Sequence, residues 1–314
     1  MNEETHRWLT GRFGGSIRFE EPMSGYTSFK VGGPADILAH PESVEDLVEL
    51  IDGCKKRKLP LLVMGGGTNT LVKDSGIRGM VVVLSKGFDR IRKNKSPEAG
   101  RMIITAMAGA RLGTLCGFAV KQGLKGLSFA AGIPGSVGGA IMMNAGTASG
   151  CMADILTSVT MLDPNGKIIS FDRGSLRFEY RRLAGIIGSD ENPESSVIIE
   201  GGFKLQSSDT QALEKETRVL MHERMKKQPV GLPCAGCFFK NPPAGKTAGQ
   251  LMEEAGLKGK RIGGAQISTV HANFIVNRDN ACAADILALM EHAQQTVFKK
   301  FGIRLQPEVK IVGA

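Results

Sequence analysis

Apolar residues recur at helical spacing between His40 and Pro60, in the segment HPESVEDLVELIDGCKKRKLP. Ser43 precedes the first of them, and Asp46 follows three residues later, a pattern typical of the N-terminal end of a helix. The apolar stripe consists of Val44, Leu47, Val48 and Ile51. The segment is therefore predicted to be a helix with one buried face.

Strands are predicted where short apolar runs are bounded by glycine, proline or asparagine. These runs are residues 61–64, 76–84, 101–110, 158–171 (a hairpin), 196–205 and 303–313. Further helices are predicted at residues 111–123, 211–228 and 283–302. Helices and strands mix without strict alternation, which indicates an α+β chain.

The length of 314 residues is long for one hydrophobic core and favours several domains. The pattern of elements places boundaries near residues 85 and 208. We predict three units, at residues 1–85, 86–208 and 209–314.

Glycine is abundant, with 41 residues, and it clusters in two places. The segment MGGGTNTLV (64–72) places three glycines at a strand end, where backbone N–H groups can surround an anion. The segment AAGIPGSVGGAIMMNAG (130–146) gives a backbone that can lie flat against a planar ligand. Each could instead be a structural turn. Two such loops in one basic chain favour a dinucleotide cofactor.

The net charge of +9 is compatible with nucleic acid, a membrane surface or phosphate-rich small ligands as partners. Nucleic acid is the weakest of these, because the basic residues are dispersed and only 5% of residues are aromatic. The N-terminus has no apolar signal core, and no continuous apolar stretch predicts membrane insertion. We expect a cytoplasmic protein with reduced thiols and no obligatory protein partner.

Cys234 and Cys237 form a C-x-x-C pair, which raises the alternatives of a metal site and a thiol redox protein. No second cysteine pair completes a zinc site, and the five histidines are dispersed, so no metal is predicted. Pro242 and Pro243 follow closely and oppose the helix that a redox-active pair normally opens. His271 lies in a polar neighbourhood and could orient a ligand.

Motifs along nearly the whole chain, from YTSFKVGGPAD (26–36) onwards, resemble the UDP-N-acetylenolpyruvoylglucosamine reductases, or MurB family. These are FAD enzymes that complete UDP-N-acetylmuramate in bacterial wall synthesis. The matching motifs are GGGTN, AGIPGSVGGAIMMNAG, FEYRRL, AGCFFKNP, KGKRIGGAQISTVHANFIVN and LQPEVKIVG. Six motifs in the same order make the resemblance specific.

The resemblance implies a PCMH-type FAD-binding domain made of two α+β subdomains, followed by a C-terminal α+β domain that binds substrate. It implies two half-reactions, in which NADPH reduces non-covalently bound FAD and the enolpyruvyl group of UDP-N-acetylglucosamine-enolpyruvate is then reduced. The chain has only Tyr26 and Tyr180 as tyrosines. It therefore resembles the shorter, second type of the family, which lacks a substrate-clamping tyrosine segment.

Three positions match the catalytic residues of the family. They are Arg181 in EYRRL, Cys237 in AGCFFKNP and Glu308 in QPEVK. The family usually has serine at the position of Cys237. Leu183 also replaces a common serine, and NAGTASG replaces the usual NAGAYG, so local contacts are expected to differ while the reaction is the same.

The resemblance also implies binding residues. Those near FAD are Gly65, Gly66, Gly67, Thr68, Asn69, Ile133, Gly135, Ser136, Gly139 and Asn144. Those on the UDP-sugar side are Lys240, Asn241 and Lys260.

The chemistry of the reaction suits these residue types. A fixed guanidinium such as Arg181 can stabilise the charge that builds on the substrate carboxylate. A thiol such as Cys237 can donate the proton that completes the reduction. A disulfide between Cys234 and Cys237 would remove that donor, and is a further hypothesis. The nearer rival function is a flavin oxidase, which often holds its flavin covalently.

Overall fold

The computed structural model describes residues 3–12, 15–95, 98, 100–186 and 196–314. In these ranges the chain forms eight α-helices and nineteen β-strands. The helices are α1 (Glu3–Arg12), α2 (Val44–Lys56), α3 (Leu112–Lys121), α4 (Val137–Met142), α5 (Met152–Ile155), α6 (Thr210–Lys227), α7 (Ala248–Glu254) and α8 (Ala283–Phe301).

The strands follow in chain order. They are β1 (Ser16–Pro22), β2 (Pro34–His40), β3 (Leu61–Met64), β4 (Thr70–Val72), β5 (Ile77–Val83), β6 (Ile91–Lys95), β7 (Arg101–Met107), β8 (Leu124–Lys125), β9 (Gly146–Thr147), β10 (Gly150–Cys151), β11 (Leu156–Leu162), β12 (Ile168–Asp172), β13 (Leu176–Glu179), β14 (Arg182–Ile186), β15 (Val197–Ser207), β16 (Arg261–Ile262), β17 (Ala265–Ile267), β18 (Ile275–Asn277) and β19 (Lys310–Val312).

The chain divides into two compact units, each built from segments that are distant in sequence. The first unit comprises Met1–Arg18, Ile37–Gly66 and Gly79–His222. The second comprises Phe19–Asp36, Gly67–Arg78 and Glu223–Ala314. The predicted domains at 1–85, 86–208 and 209–314 are consecutive segments, and that division stays a prediction.

The first unit is organised around an antiparallel sheet with the strand order β12-β11-β15-β7-β6, and β8 also pairs with β15. The long strand β15 is buried over most of its length. Helix α4 packs on it. Gly201 of β15 makes this packing possible, because a Cβ there would lie 2.6 Å from Cδ1 of Ile141.

A second sheet has the order β1-β2-β5-β3. Within the first unit, β3 and β5 pair in parallel, with Leu61 opposite Met80 and Met64 opposite Val83. The glycine run begins directly after Met64, the one buried residue of β3, so this parallel pair places the run at the end of a strand.

The second unit has its own hydrophobic core. Helices α7 and α8 pack together, and α8 lies against the small antiparallel sheet β16-β17-β18. Phe29, Phe238 and Phe239 are fully buried among apolar residues of this core. Within the described part of the chain, no helix combines the length and the apolar character needed to cross a membrane.

The predicted helix beginning after Ser43, the hairpin at 158–171 and the helix at 283–302 are confirmed. The prediction of a strand over the whole of 303–313 is wrong, because only Lys310–Val312 forms a strand, which pairs with β4, and Pro307 makes an isolated bridge to Phe239. Helices α1, α4, α5 and α7 were not predicted. Glycine-rich segments such as the one containing α4 have low intrinsic helix propensity, and here Ser136 caps the helix by accepting a hydrogen bond from Gly139 N–H.

Ser43 forms a reciprocal capping box with Asp46 at the start of α2. Ser43 Oγ accepts from Asp46 N–H at 3.0 Å, and Asp46 Oδ2 accepts from Ser43 N–H at 3.1 Å. We expect Ser43→Ala to lower the free energy of unfolding by about 1 kcal/mol, measured by chemical denaturation. Ser43→Asp retains a capping oxygen and should lose much less. Equal losses in the two variants would contradict a capping role.

Candidate active site

In the first unit, the glycine-rich segment 132–139 is held against residues 108–112 by backbone hydrogen bonds. The donor and acceptor pairs are Leu112 N to Gly135 O (2.9 Å), Val137 N to Ala110 O (2.8 Å) and Gly138 N to Ala108 O (2.9 Å). Gly135 has a φ of +126°, a conformation that favours glycine. The shape of this loop therefore depends on main-chain pairing and not on side-chain packing.

The two glycine-rich segments meet in the first unit. A Cβ built on Gly65 would overlap Oγ of Ser136, and a Cβ on Gly138 would lie 2.8 Å from Cβ of Ala108. The close approach thus requires glycine at both positions. Because these glycines carry no side chain, a ligand here would mostly contact main-chain atoms.

This surface fits the FAD group that the sequence predicts. Backbone amides at a strand end can hold a pyrophosphate, and bare main chain can lie close to a planar ring. Most of the predicted FAD residues belong to the first unit. They are Gly65, Gly66, Ile133, Gly135, Ser136, Gly139 and Asn144. Gly67, Thr68 and Asn69 belong to the second.

Arg181 lies at the tip of the β13–β14 hairpin in the first unit, where Glu179 pairs with Arg182. Its φ is +58°, in the left-handed region that few residues other than glycine adopt. Its guanidinium carbon lies 5.0 Å from the centre of the Tyr180 ring, within cation–π range. The hairpin thus presents a half-buried cation on a short, well-defined turn.

The side chain of Asn144 stabilises this hairpin through hydrogen bonds. Its side chain is buried, and its Nδ2 donates to the carbonyl of Glu179 at 3.0 Å. Its Oδ1 accepts from Ala153 N–H at 3.1 Å. The side chain therefore ties the end of α4 to the strand that leads into Arg181. A place beside FAD for Asn144 stays a prediction.

Cys237 and Glu308 lie in the second unit on neighbouring segments of chain. Glu308 N–H donates to the carbonyl of Phe238 at 2.8 Å, and Lys240 N–H donates to the carbonyl of Gln306 at 2.9 Å. Phe239 and Pro307 form an antiparallel bridge between these two donors. The structure thus brings the backbones at positions 237 and 308 together, although 71 residues separate them in sequence.

Asn69 and Asn273 flank this pair of segments. Asn69 Nδ2 donates to the carbonyl of Glu308 at 3.1 Å, and its own carbonyl accepts from Lys310 N–H at 2.9 Å. On the other side, the buried amide of Asn273 pairs with both backbone groups of Phe239. Sequence reasoning missed Asn273. The only signal was a polar residue inside the apolar run HANFIVN.

The predicted residues on the UDP-sugar side also lie in the second unit. Lys240 is half-buried and directly follows Phe239, whereas Lys260 is exposed. The side chain of Asn241 accepts from Ala248 N–H at 3.1 Å, at the start of α7. This bond gives Asn241 a local structural role beside the predicted binding role, which stays a prediction.

Cys234 and Cys237 are not joined by a disulfide. Burial raises the pKa of Cys234, and a hydrogen bond from Gly236 N–H partly offsets this rise. The Cys234 thiol is therefore protonated near neutral pH. A disulfide with Cys237 stays a hypothesis. Burial also raises the pKa of Cys54 to about 12 and that of Cys116 to about 11, so these thiols are structural.

His271 is held by its surroundings in the second unit. Its Nδ1 accepts from Asn273 N–H at 3.1 Å, and its ring meets that of Phe274 edge to face. Burial, together with the charge of Lys258, lowers its pKa, so the imidazole is neutral at pH 7. Among the described residues, no group of histidine, cysteine, aspartate and glutamate side chains could hold a metal ion.

Comparison with protein families gives two matches along the chain. Residues 35–172 match a family model described as an FAD binding domain. Residues 228–312 match a model described as the C-terminal domain of UDP-N-acetylenolpyruvoylglucosamine reductase.

Individual relatives match over the whole chain. A UDP-N-acetylenolpyruvoylglucosamine reductase of Desulfosudis oleivorans is 44% identical over 313 residues, covering 100% of both chains. One of Heliobacterium modesticaldum is 43% identical, covering 97% of this chain and 93% of its own. The crystal structure of the reductase (MurB) from Thermus caldophilus is similar with a TM-score of 0.76 and 33% identity, covering 95% of this chain and 99% of that one.

The close approach of Gly65 to Ser136 generates a prediction about cofactor retention. We expect Gly65→Ala to push the two glycine-rich segments apart and weaken FAD binding by roughly tenfold, since overpacking typically costs about 1–3 kcal/mol. Titration of apoprotein with FAD, followed by flavin fluorescence, measures this. Gly113→Ala is the matched control, because a Cβ at Gly113 meets nothing within 4 Å. Equal FAD affinity in both variants would contradict the prediction.

Proposed function

Because the chain belongs to the UDP-N-acetylenolpyruvoylglucosamine reductase family, we propose that Arg181, Cys237 and Glu308 carry its catalytic chemistry. The enzyme is an FAD-dependent oxidoreductase of peptidoglycan precursor synthesis, and it uses NADPH. The observation that supports the assignment best is the hydrogen bond from Glu308 N–H to the Phe238 carbonyl. This bond joins Glu308 to the residue that follows Cys237, within the segment 228–312 that matches the family's C-terminal domain, and so supports the proposal.

FAD, when bound, supplies hydride taken from NADPH to C3 of the enolpyruvyl group. The residues proposed to hold it are the glycine-rich turn at 65–67 with Thr68 and Asn69, and the loop at 133–139 with Asn144. In this arrangement main-chain amides would meet the phosphates, and the absence of side chains would leave room for the ring.

Arg181 stabilises the charge that develops on the substrate. Addition of hydride at C3 builds negative charge at C2, which spreads into the adjoining carboxylate. A guanidinium remains charged at any working pH and can bind a carboxylate through two parallel hydrogen bonds. Such a fixed cation favours the transition state over the ground state, because the charge it meets is larger there.

Cys237 donates the proton that completes the reduction at C2. An unperturbed thiol has a pKa of about 8.5, nearer to neutrality than that of an aliphatic hydroxyl, so proton transfer from it is easier. The thiol acts only in its protonated form. The S–H bond breaks as the new C–H bond at C2 forms, and the thiolate regains a proton from solvent before the next turnover.

Glu308 acts at the same end of the substrate. Protonated, its carboxyl donates a hydrogen bond to the developing carboxylate. Ionised, it orients a substrate hydroxyl. Lys240, Asn241 and Lys260 are proposed to face the UDP-sugar, whose diphosphate requires cationic or amide donors. A cytoplasmic location, and activity without an obligatory protein partner, remain proposals from the sequence.

An anaerobic experiment in two steps tests the function. NADPH should bleach the flavin absorbance of the purified protein, and UDP-N-acetylglucosamine-enolpyruvate should restore it with formation of UDP-N-acetylmuramate. Denaturation should release FAD from the chain. Recolouring only by oxygen, or flavin that stays attached after denaturation, would favour an oxidase instead.

The thiol chemistry of Cys237 predicts a pH dependence. Activity should fall as pH rises through the pKa of the thiol, because the thiolate cannot donate a proton. In Cys237→Ser the hydroxyl does not ionise in this range, so the basic limb of the kcat profile should move upward by more than about one pH unit. Cys282→Ser, at an exposed cysteine in the same unit, is the control and should leave the limb in place. An unchanged basic limb in Cys237→Ser would assign the titration to another group.

A further inference from the structure

We propose that Asn273 is a positioning residue for the proton donor, holding the segment that carries Cys237 and Lys240 in register with Glu308. This inference rests on the proposed function and adds a residue that does not touch the substrate. The carboxamide of Asn273 is 2% exposed. Its Oδ1 accepts from Phe239 N–H at 2.9 Å, and its Nδ2 donates to the Phe239 carbonyl at 2.8 Å.

The main chain of Asn273 adds a third bond to the same segment. Its carbonyl accepts from Phe238 N–H at 2.7 Å. The remaining backbone group of this dipeptide, the Phe238 carbonyl, accepts from Glu308 N–H at 2.8 Å. All four backbone groups of Phe238 and Phe239 are thus paired, three of them with Asn273 and one with Glu308.

The buried side chains of the two phenylalanines anchor this dipeptide in the core. The orientation of its backbone is determined by the hydrogen bonds. Phe238 and Phe239 are 0% and 1% exposed, and the centres of their rings lie 5.4 Å apart. Cys237 and Lys240 flank the dipeptide on either side, so any rotation of the dipeptide moves both of them. Asn273 therefore controls where the thiol lies relative to the carboxyl of Glu308.

Neither aspartate nor alanine can replace the carboxamide without loss. Aspartate is isosteric and can accept from Phe239 N–H, but it cannot donate to the carbonyl, and its charge would face that oxygen. Alanine leaves both backbone groups of Phe239 without their partner. A buried polar group that loses its partner favours rearrangement of the chain around it. Displacement of a reacting group by about 1 Å can cost roughly a hundredfold in rate.

The chain supplies a matched control in Asn277, four residues later. This asparagine is also buried, and its Nδ2 donates to the Phe29 carbonyl at 2.9 Å. Its Oδ1 accepts from Ala281 N–H at 2.9 Å. Asn277→Asp therefore makes the same chemical change in the same core, but on hydrogen bonds that do not involve the 237–240 segment.

The test compares the two half-reactions in FAD-loaded protein. In Asn273→Asp, formation of UDP-N-acetylmuramate by the NADPH-reduced enzyme should slow by roughly tenfold to a hundredfold, while flavin bleaching by NADPH stays within about twofold. In Asn277→Asp the ratio of the two rates should stay at its wild-type value. Equal slowing of both half-reactions in Asn273→Asp would overturn the inference. So would the same ratio of product formation rate to flavin bleaching rate in Asn273→Asp and Asn277→Asp.

A second measurement does not depend on catalysis. The rate at which iodoacetamide labels Cys237, followed by mass spectrometry of the peptide, should rise in Asn273→Asp and Asn273→Ala but not in Asn277→Asp. If the aspartate variant does not fold, Asn273→Ala, which adds no charge, gives the same comparison. Labelling at the wild-type rate in a folded Asn273 variant would contradict a role in positioning the thiol.

Cys237→Ala separates failure of this inference from failure of the proposed function. If Cys237→Ala forms product at the wild-type rate, the thiol is not the proton donor and the proposed function of Cys237 is wrong. If Cys237→Ala loses the second half-reaction and Asn273→Asp retains it, the donor is correctly assigned and the positioning role of Asn273 is wrong.

Discussion

A buried backbone amide or carbonyl needs a hydrogen-bond partner, and this requirement determines where the functional segments of the chain lie. These segments are irregular, so their partners come from outside regular helices and sheets. The loop at 132–139 pairs with the main chain at 108–112. The hairpin tip at Arg181 and the segment at 237–240 are instead held by the side-chain amides of Asn144 and Asn273.

The two kinds of partner correspond to two kinds of chemistry. A cofactor that is the same in every turnover can be bound by main chain, and glycine at positions 65 and 138 allows the close approach that this needs. A substrate that gains a hydride and a proton needs side chains with charge and acidity, the roles proposed for Arg181 and Cys237. A carboxamide can hold the strands that carry such side chains without adding a charge that would shift their pKa values.

Local patterns predicted much of this fold but few of its long-range contacts. The capping box at Ser43 and the apolar stripe after it involve neighbours within one helical turn, and they were read correctly. The glycine-rich segments were recognised because turns have local signatures. The pairing of Asn273 with Phe239 spans 34 residues, and a polar residue inside the apolar run HANFIVN does not indicate which segment it pairs with. Family resemblance assigned Cys237 and Glu308, whereas only the coordinates revealed the residues that position them.

The conformation of Arg181 supports its proposed role independently of family resemblance. An L-residue other than glycine in the left-handed region costs about 1–2 kcal/mol, and glycine would relieve that cost at this hairpin tip. Asn144, itself at a φ of +40°, ties the strand entering the tip and helps to hold the strained turn. Glycine at this position would remove the strain, but it would also remove the cation. In the proposed function, the strain is the cost of presenting the guanidinium at a fixed place.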